Sequence, residues 1–154
     1  MSWSGRGGSI RGTRKFRAAA DIFDGSTTSI WTVENGICLL TGLLIENLVG
    51  ALDGTANAVK WTANPTVGSS VDLCATLDVV NDELGTMYEI TGILTDALVG
   101  TTAGAVGALI QPVNVNVGTI DLVSAGDSNN TNSALQAVTI YYEPVDPGAR
   151  IVVA

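Results

Sequence analysis

The sequence predicts an all-β protein: a β-sandwich or barrel body that follows an extended N-terminal arm. Two observations indicate the β class: short runs in which apolar and polar residues alternate, and clusters of Gly, Asn, Asp and Thr between those runs. A third is that no stretch of about ten residues has convincing amphipathic helix periodicity. The 154 residues fit one domain, and a composition of 46% hydrophobic and 14% charged residues excludes a disordered chain.

Residues 1–20 are expected to form the arm, and residues 21–154 the body domain. The first 17 positions hold five of the seven basic residues and no acid. Gly and Ser precede the basic stretch, and ordering such a backbone costs entropy that little burial within the chain can offset. We therefore expect the arm to be loose in the isolated chain and ordered only against a partner.

The strands of the body are predicted from alternation and turn residues. Val113–Val117 and Ala58–Ala63 alternate between apolar and other residues, which indicates one buried face in each. Asn35-Gly36 predicts a hairpin, because this dipeptide favours the tight turns that join antiparallel neighbours. The predicted strands are Ser29–Glu34, Gly36–Ile45, Ala58–Ala63, Val71–Val80, Thr86–Gly92, Val113–Val117, Thr119–Val123, Ala137–Glu143 and Arg150–Val153.

Three segments leave alternatives open. Leu43–Leu52 is the best helix candidate, although nearby glycines limit it to a turn or two. Thr101–Gly107 has little side-chain volume and is interpreted as a loop or an extended interface strand. Leu40–Gly50 matches Ile90–Gly100 at six of eleven positions. This similarity reflects either two related halves or chance in a chain rich in Gly, Leu and Thr.

The residue content argues against catalysis, and we expect the protein not to be an enzyme. Histidine is absent, which removes the commonest general base and metal ligand. Beyond the arm, Lys60 is the one lysine that could activate a nucleophile. Acid pairs such as Asp82 with Glu83 lie in turn-like sequence and are interpreted as solvated loop residues. No glycine-rich phosphate-binding motif is present, and we expect no cofactor.

The cysteines and one acidic loop are the remaining candidates for special chemistry. Cys38 and Cys74 lie in apolar, strand-like runs, so reduced core thiols are the favoured interpretation and a disulfide is the alternative. Ala125–Asn132 offers oxygen ligands but a single carboxylate, so an ordinary loop is favoured over a weak calcium site. We therefore expect no metal.

The basic arm has two candidate partners, a protein surface and nucleic acid. Five cations would give nucleic-acid binding a salt slope of about −4.5. The rest of the chain sets two cations against all 15 acids, a formal charge of −13 that repels nucleic acid. The large apolar side chains of the arm favour a protein partner, because burial stabilises them. The expected partner-binding residues are Trp3, Arg6, Ile10, Arg11, Arg14, Lys15, Phe16 and Arg17.

The C-terminal stretch from Ala137 to Ala154 resembles the ending of small structural proteins of tailed-bacteriophage heads. It contains a strand, a Tyr-x-Pro turn, an Asp-Pro-Gly-Ala step and a short apolar terminus. The sequence patterns of Val71–Val79 and Gly85–Gly92 are similar to those of the same group of proteins. The resemblance implies a head decoration (cement) protein, with a β-sandwich, jelly-roll or β-tulip body. Such a protein is usually a trimer, is clamped on the major capsid protein by an extended arm, and has no catalytic residue.

Alternatives to the decoration protein are a phage tail, fibre or head–tail joining component, and a carbohydrate-binding β-sandwich. The last would use Trp31, Trp61 and Tyr141 or Tyr142 as stacking platforms. The most apolar run, Ile37–Ile45, is far shorter than the ~20 residues needed to span a bilayer, so no membrane is expected. The expected location is the capsid surface of the virion, after assembly in the host cytoplasm.

Overall fold

Two antiparallel β-sheets account for the regular structure of the described residues, which confirms the all-β expectation. The computed structural model describes residues 11–101, 103–107, 109, 111–126 and 134–154. The strands are β1 Thr13–Ala20, β2 Thr27–Glu34, β3 Cys38–Val49, β4 Asn57–Pro65, β5 Val71–Asp72, β6 Leu77–Asp78, β7 Met87–Glu89, β8 Val99–Thr101, β9 Val113–Val115, β10 Gly118–Gly126, β11 Leu135–Pro144 and β12 Arg150–Val153.

The two sheets pack face to face as a β-sandwich. The first sheet has the order β1-β11-β3-β7-β8, and β9 also pairs with β3. The second sheet has the order β12-β2-β10-β4-β5, and β6 also pairs with β4. β1 and β12 are edge strands of different sheets and lie beside each other. We call the side of the sandwich formed by β1 and β12 the terminal side.

The core lies between the sheets and follows the two-residue period of the strands. In β3, Leu43 and Ile45 are fully buried, whereas Leu44 between them is on the outer face of the first sheet. Trp31 and Trp61 from the second sheet are fully buried in the same core. Burying one large apolar side chain contributes about 1.5–3 kcal/mol, so this core is the main source of stability.

A buried segment crosses from the first sheet to the second between β1 and β2, and buried polar side chains satisfy its backbone. Gln136 accepts a hydrogen bond from the Ile22 N–H at 3.1 Å. Asn57 donates to the carbonyl of Phe23 at 2.9 Å and accepts from the Ser124 hydroxyl at 2.9 Å. Because buried backbone groups without partners are costly, these bonds fix the path of the crossing.

The predicted hairpin at Asn35-Gly36 is wrong, because β2 and β3 belong to different sheets. The dipeptide does form a turn, with positive φ at both residues. Its loop is held by Asp146, which accepts a hydrogen bond from the Ile37 N–H at 2.7 Å. The local turn was predictable, but strand pairing is decided by distant partners that bury both flanking strands.

The helix candidate Leu43–Leu52 is also wrong, since most of it belongs to β3, where pairing with β11 and burial override local propensity.

The matching segments Leu40–Gly50 and Ile90–Gly100 differ in structure: the first is mostly strand and the second is mostly turn and loop. Duplication of a structural unit is therefore not supported. The predicted strand Val71–Val80 is reduced to β5 and β6.

The described part of the predicted arm differs most from expectation. β1 is not loose, because it pairs with β11 from Thr13 opposite Tyr142 to Ala20 opposite Gln136. The exposed edge of β11 supplies backbone partners that the arm sequence itself does not reveal. The sheet therefore begins at Thr13 instead of after residue 20, while residues 1–10 lie outside the described residues.

Candidate interaction site

β1 is the most exposed of the long strands and forms the edge of the first sheet. Residues Thr13–Phe16 are all exposed to solvent. Among the described residues, β11 is the one strand that pairs with β1. The opposite side of β1 therefore presents a row of backbone groups to which an extended segment of another chain can bind.

The basic residues of β1 alternate between the two faces of the sheet. Phe16 lies opposite Thr139 and shares the outer face with Arg14. Lys15 and Arg17 lie opposite the core residues Ile140 and Val138, so these two cations are at the rim of the space between the sheets.

Two arginine–aromatic contacts organise the outer face at this edge. The Cζ atom of Arg14 lies 5.5 Å from the ring centroid of Phe16, whose exposed fraction is 49%. The Cζ atom of Arg11 lies 5.4 Å from the ring centroid of Tyr141 on β11. Each such contact contributes about 0.5–1 kcal/mol at an exposed site. The cations are therefore held beside aromatic surface.

Arg17 differs from the other cations of β1 because part of its guanidinium is buried. Its Nη1 atom is shielded from solvent and has no hydrogen-bond partner in the described part of the chain. A buried donor without an acceptor is costly, and guanidinium groups pair best with carboxylates.

Arg11 also lies at a small cavity on the outer face of the first sheet. This cavity has a volume of about 230 Å³ and contains the carboxyl group of Glu89 at its wall. Glu89 lies opposite Leu44 on the outer face, yet it is only 2% exposed. The lining residues are Arg11, Leu44, Met87, Glu89, Ala105, Val106 and Gly107.

The buried carboxyl group of Glu89 serves the backbone. Its Oε1 atom accepts hydrogen bonds from the N–H groups of Leu43 at 2.8 Å and Ile90 at 3.1 Å. Burial raises the pKa of Glu89 to about 7, although these two donors and Arg11 act in the opposite direction. The side chain therefore changes charge near neutral pH in a chain that has no histidine.

The structure brings Arg14, Lys15, Phe16 and Arg17 together on one strand and places Arg11 just before it. Trp3, Arg6 and Ile10, the other predicted contact residues, lie outside the described residues. Sequence reasoning missed Tyr141 as a partner of Arg11 and missed Glu89 entirely. Tyr141 alternates with buried Ile140 and Tyr142, which was a usable signal, whereas nothing local distinguishes Glu89.

Both cysteines are free and buried, which confirms the interpretation of reduced core thiols. Burial raises the pKa of Cys38, and it raises that of Cys74 to about 11, so both thiols are neutral at pH 7.

Within the described ranges, no group of three or more His, Cys, Asp or Glu side chains is placed to hold a metal ion. Most of the calcium candidate Ala125–Asn132 lies outside those ranges.

The aromatic residues proposed as carbohydrate-stacking platforms are mostly in the core. Trp31 and Trp61 are fully buried, and Tyr142 is only 3% exposed. Tyr141 is partly buried beside Arg11. Stacking on a sugar requires an accessible ring face, so these positions do not support the carbohydrate-binding alternative.

An apolar groove of about 200 Å³ lies on the side of the sandwich opposite the terminal side, where β4 and β5 face β9. Val71 and Leu94 line this groove and are about half exposed.

In the part of the chain that the structure describes, no helix is long and apolar enough to cross a membrane. In comparisons with known proteins, no family model, curated protein or solved structure matches this chain.

Proposed function

We propose that this chain is a structural component of a phage head: a decoration protein that binds the major capsid protein as a homo-oligomer. The observation that carries the proposal is β1, an exposed edge strand with three cations and one exposed aromatic residue. The stretch that resembles phage-head proteins forms β11 and β12, the two strands adjacent to β1. The resemblance and the exposed edge therefore lie in one region.

A protein partner suits this edge better than nucleic acid. The cations of β1 belong to a chain in which residues 18–154 carry a formal charge of −13, which disfavours approach to a phosphate backbone. Phe16 offers half-exposed apolar surface beside those cations. Burial of that surface against a protein would add stabilisation that is insensitive to salt.

Three buried or partly buried acids, Glu89, Asp82 and Asp121, have structural partners, which supports a binding role over a catalytic one. Glu89 accepts two backbone hydrogen bonds, as described above. The Tyr88 hydroxyl donates to Asp82 at 2.7 Å, and the Ser29 hydroxyl donates to Asp121 at 2.8 Å. Each of these groups is used to hold one segment of the sandwich against another.

Self-association is part of the proposal, and a trimer is the form that the resemblance implies. β12, the other strand of the terminal side, has an edge without a partner among the described residues. Exposed edges are usually covered in assembled proteins. Mass measurement of the purified chain and of decorated heads tests this part, and a monomer under both conditions would contradict it.

The attachment experiment is sedimentation of the purified chain with phage heads that lack it, over a range of salt concentrations. We compare Phe16→Ala with a triple variant in which Arg14, Lys15 and Arg17 become Gln. Full burial of a large apolar side chain contributes about 1.5–3 kcal/mol and about half of Phe16 is exposed, so Phe16→Ala should weaken binding by about three- to tenfold. Exposed ion pairs contribute about 0–1 kcal/mol each, so the triple variant should mainly flatten the salt dependence.

Matched controls are available on the same molecule. Val67→Ala removes an apolar side chain that is 84% exposed and lies outside β1, and Arg150→Gln removes a cation from the neighbouring strand β12. Neither control should change binding. Equal losses in the controls and the β1 variants would refute attachment through β1. A steep salt dependence with no effect of Phe16→Ala would indicate nucleic acid instead.

A further inference from the structure

We propose that β1 accepts an extended acidic segment of a partner protein as an added strand, so that the first sheet continues into the partner. This inference rests on the proposed function, because it specifies how the same edge binds and what chemistry it selects. It goes further by assigning the contact to backbone pairing, with side chains that set specificity.

The backbone of β1 provides the length that strand addition needs. Six of its eight residues pair with β11 on one side, and the first four are exposed. The ladder with β11 is in continuous register from Thr13 to Arg17. An incoming strand therefore meets a regular edge, where main-chain hydrogen bonds provide affinity and alternate side chains provide selectivity.

The charges of β1 select an acidic strand. Arg14 projects on the outer face, whereas Lys15 and Arg17 project toward the space between the sheets. No acid occurs within Thr13–Ala20. Opposite charges directly across two strands stabilise pairing and like charges destabilise it. Carboxylates at alternate positions of the partner would therefore face Lys15 and Arg17.

Arg17 gives a second, independent indication of a missing acceptor. Its Nη1 atom is buried and has no hydrogen-bond partner among the described residues. A residue on an added strand would be a direct neighbour of Arg17 at this edge. A carboxylate there would supply the acceptor that the planar guanidinium group favours.

A second copy of this chain fits the edge poorly. Pairing β1 with β1 of another copy would bring cations against cations along an eight-residue strand. The other outer strands of the described chain are shorter: β5 and β6 have two residues, β8 and β9 have three, and β12 has four. These strands cannot match the length of β1, so the partner segment belongs to another protein.

The test measures binding of a labelled peptide of about ten residues in which Glu and Val alternate, a length that covers β1. A control peptide has the same composition with all Glu residues in one block. We expect the alternating peptide to bind about tenfold more tightly than the block peptide, because alternation puts every carboxylate on the face of Lys15 and Arg17 and every Val on the face of Phe16. Equal affinities would overturn the proposal.

Backbone pairing is separated from charge attraction by N-methylation of the alternating peptide. One version is methylated at odd positions and the other at even positions, with the same charge. Only one set of N–H groups points at β1, so one version should lose binding about tenfold or more while the other retains it. Similar binding by both would overturn strand addition, since it would show attraction by charge alone.

Variants of the chain then locate the contact. Arg17→Gln should weaken peptide binding by about fivefold or more, whereas Arg150→Gln on β12 should change it by less than about twofold. Unchanged binding by Arg17→Gln would overturn its assigned role. Tighter binding of a single-stranded oligonucleotide than of the acidic peptide, or dimerisation through β1, would also overturn the proposal.

The two proposals fail in different ways. If phage heads bind through β1 but the alternating peptide does not, the proposed function stands and strand addition is wrong. If the peptide binds and heads do not, strand addition stands and the assignment to a phage head is wrong.

Discussion

β1 and β10 are strands of similar length whose environments are opposite. β10 lies between β2 and β4 in the second sheet, and its residues Ile120 and Leu122 are fully buried. β1 has one partner strand and exposes Thr13–Phe16. Packing in the core therefore stabilises β10, whereas β1 is held mainly by hydrogen bonds to β11 and remains available to another chain.

The largest expected difference between the two strands is the cost of truncating a side chain. Leu122→Ala should lower the free energy of unfolding by about 2–5 kcal/mol, because it leaves a cavity in the core. Phe16→Ala should lower it by only about 1 kcal/mol, since its ring is half exposed and its contact with Arg14 is worth about 0.5–1 kcal/mol. Urea unfolding of both variants measures this, and a larger loss for Phe16→Ala would contradict the contrast.

The second prediction concerns Glu89, the buried acid near the start of β1. Its pKa is about 7 in the folded chain and about 4.3 when unfolded, so the native state binds more protons between these values. The contribution of Glu89 to stability should therefore be greatest below about pH 4.3 and fall by about 3 kcal/mol as pH rises from there to about 7.

Glu89→Gln tests this, because the amide oxygen can still accept the two backbone hydrogen bonds but the side chain no longer titrates. The variant should be more stable than the natural chain at pH 8 and similar to it near pH 4.5. Burial also raises the pKa of Asp82, which adds a residual slope of the same sign at lower pH. An unchanged slope above pH 5 in Glu89→Gln would contradict the assignment.

The sequence predicted the interior better than the edge, and the reason is physical. Alternation marks β4 and β10 because their side chains face a core, and the predicted strands Ala58–Ala63 and Thr119–Val123 lie inside them. No such pattern marks β1, whose residues are mostly exposed. Its strand form depends on the free edge of β11, a distant partner that local sequence does not specify.

The candidate site was predictable only in part for the same reason. The basic cluster was visible as composition, so Arg14, Lys15, Phe16 and Arg17 were identified as contact residues. The division of these residues between the two faces of β1 was not predictable from the sequence, because it depends on the register with β11. Burial of Glu89 was not predictable either, since the cavity beside it is lined by residues distant in sequence, among them Arg11 and residues 105–107.

The smallest expected effect concerns the exposed ion pairs of the body. Lys60 donates to Asp72 at 2.7 Å, and Arg150 pairs with Glu34 at 2.7 Å. Exposed pairs are worth about 0–1 kcal/mol, so Arg150→Gln should change the free energy of unfolding by less than about 1 kcal/mol. Thermal unfolding at low and high salt measures this change. A loss comparable to that of Leu122→Ala would show that the terminal side is more tightly coupled to the core than this account holds.

Amide hydrogen exchange on the chain, free and bound to phage heads, tests whether attachment occurs through β1. We expect the amides of Thr13–Ala20 to gain protection on binding, while those of β10 are already protected in the free chain and change little. Protection gained at the groove around Val71 and Leu94, with β1 unchanged, would contradict attachment through the edge strand.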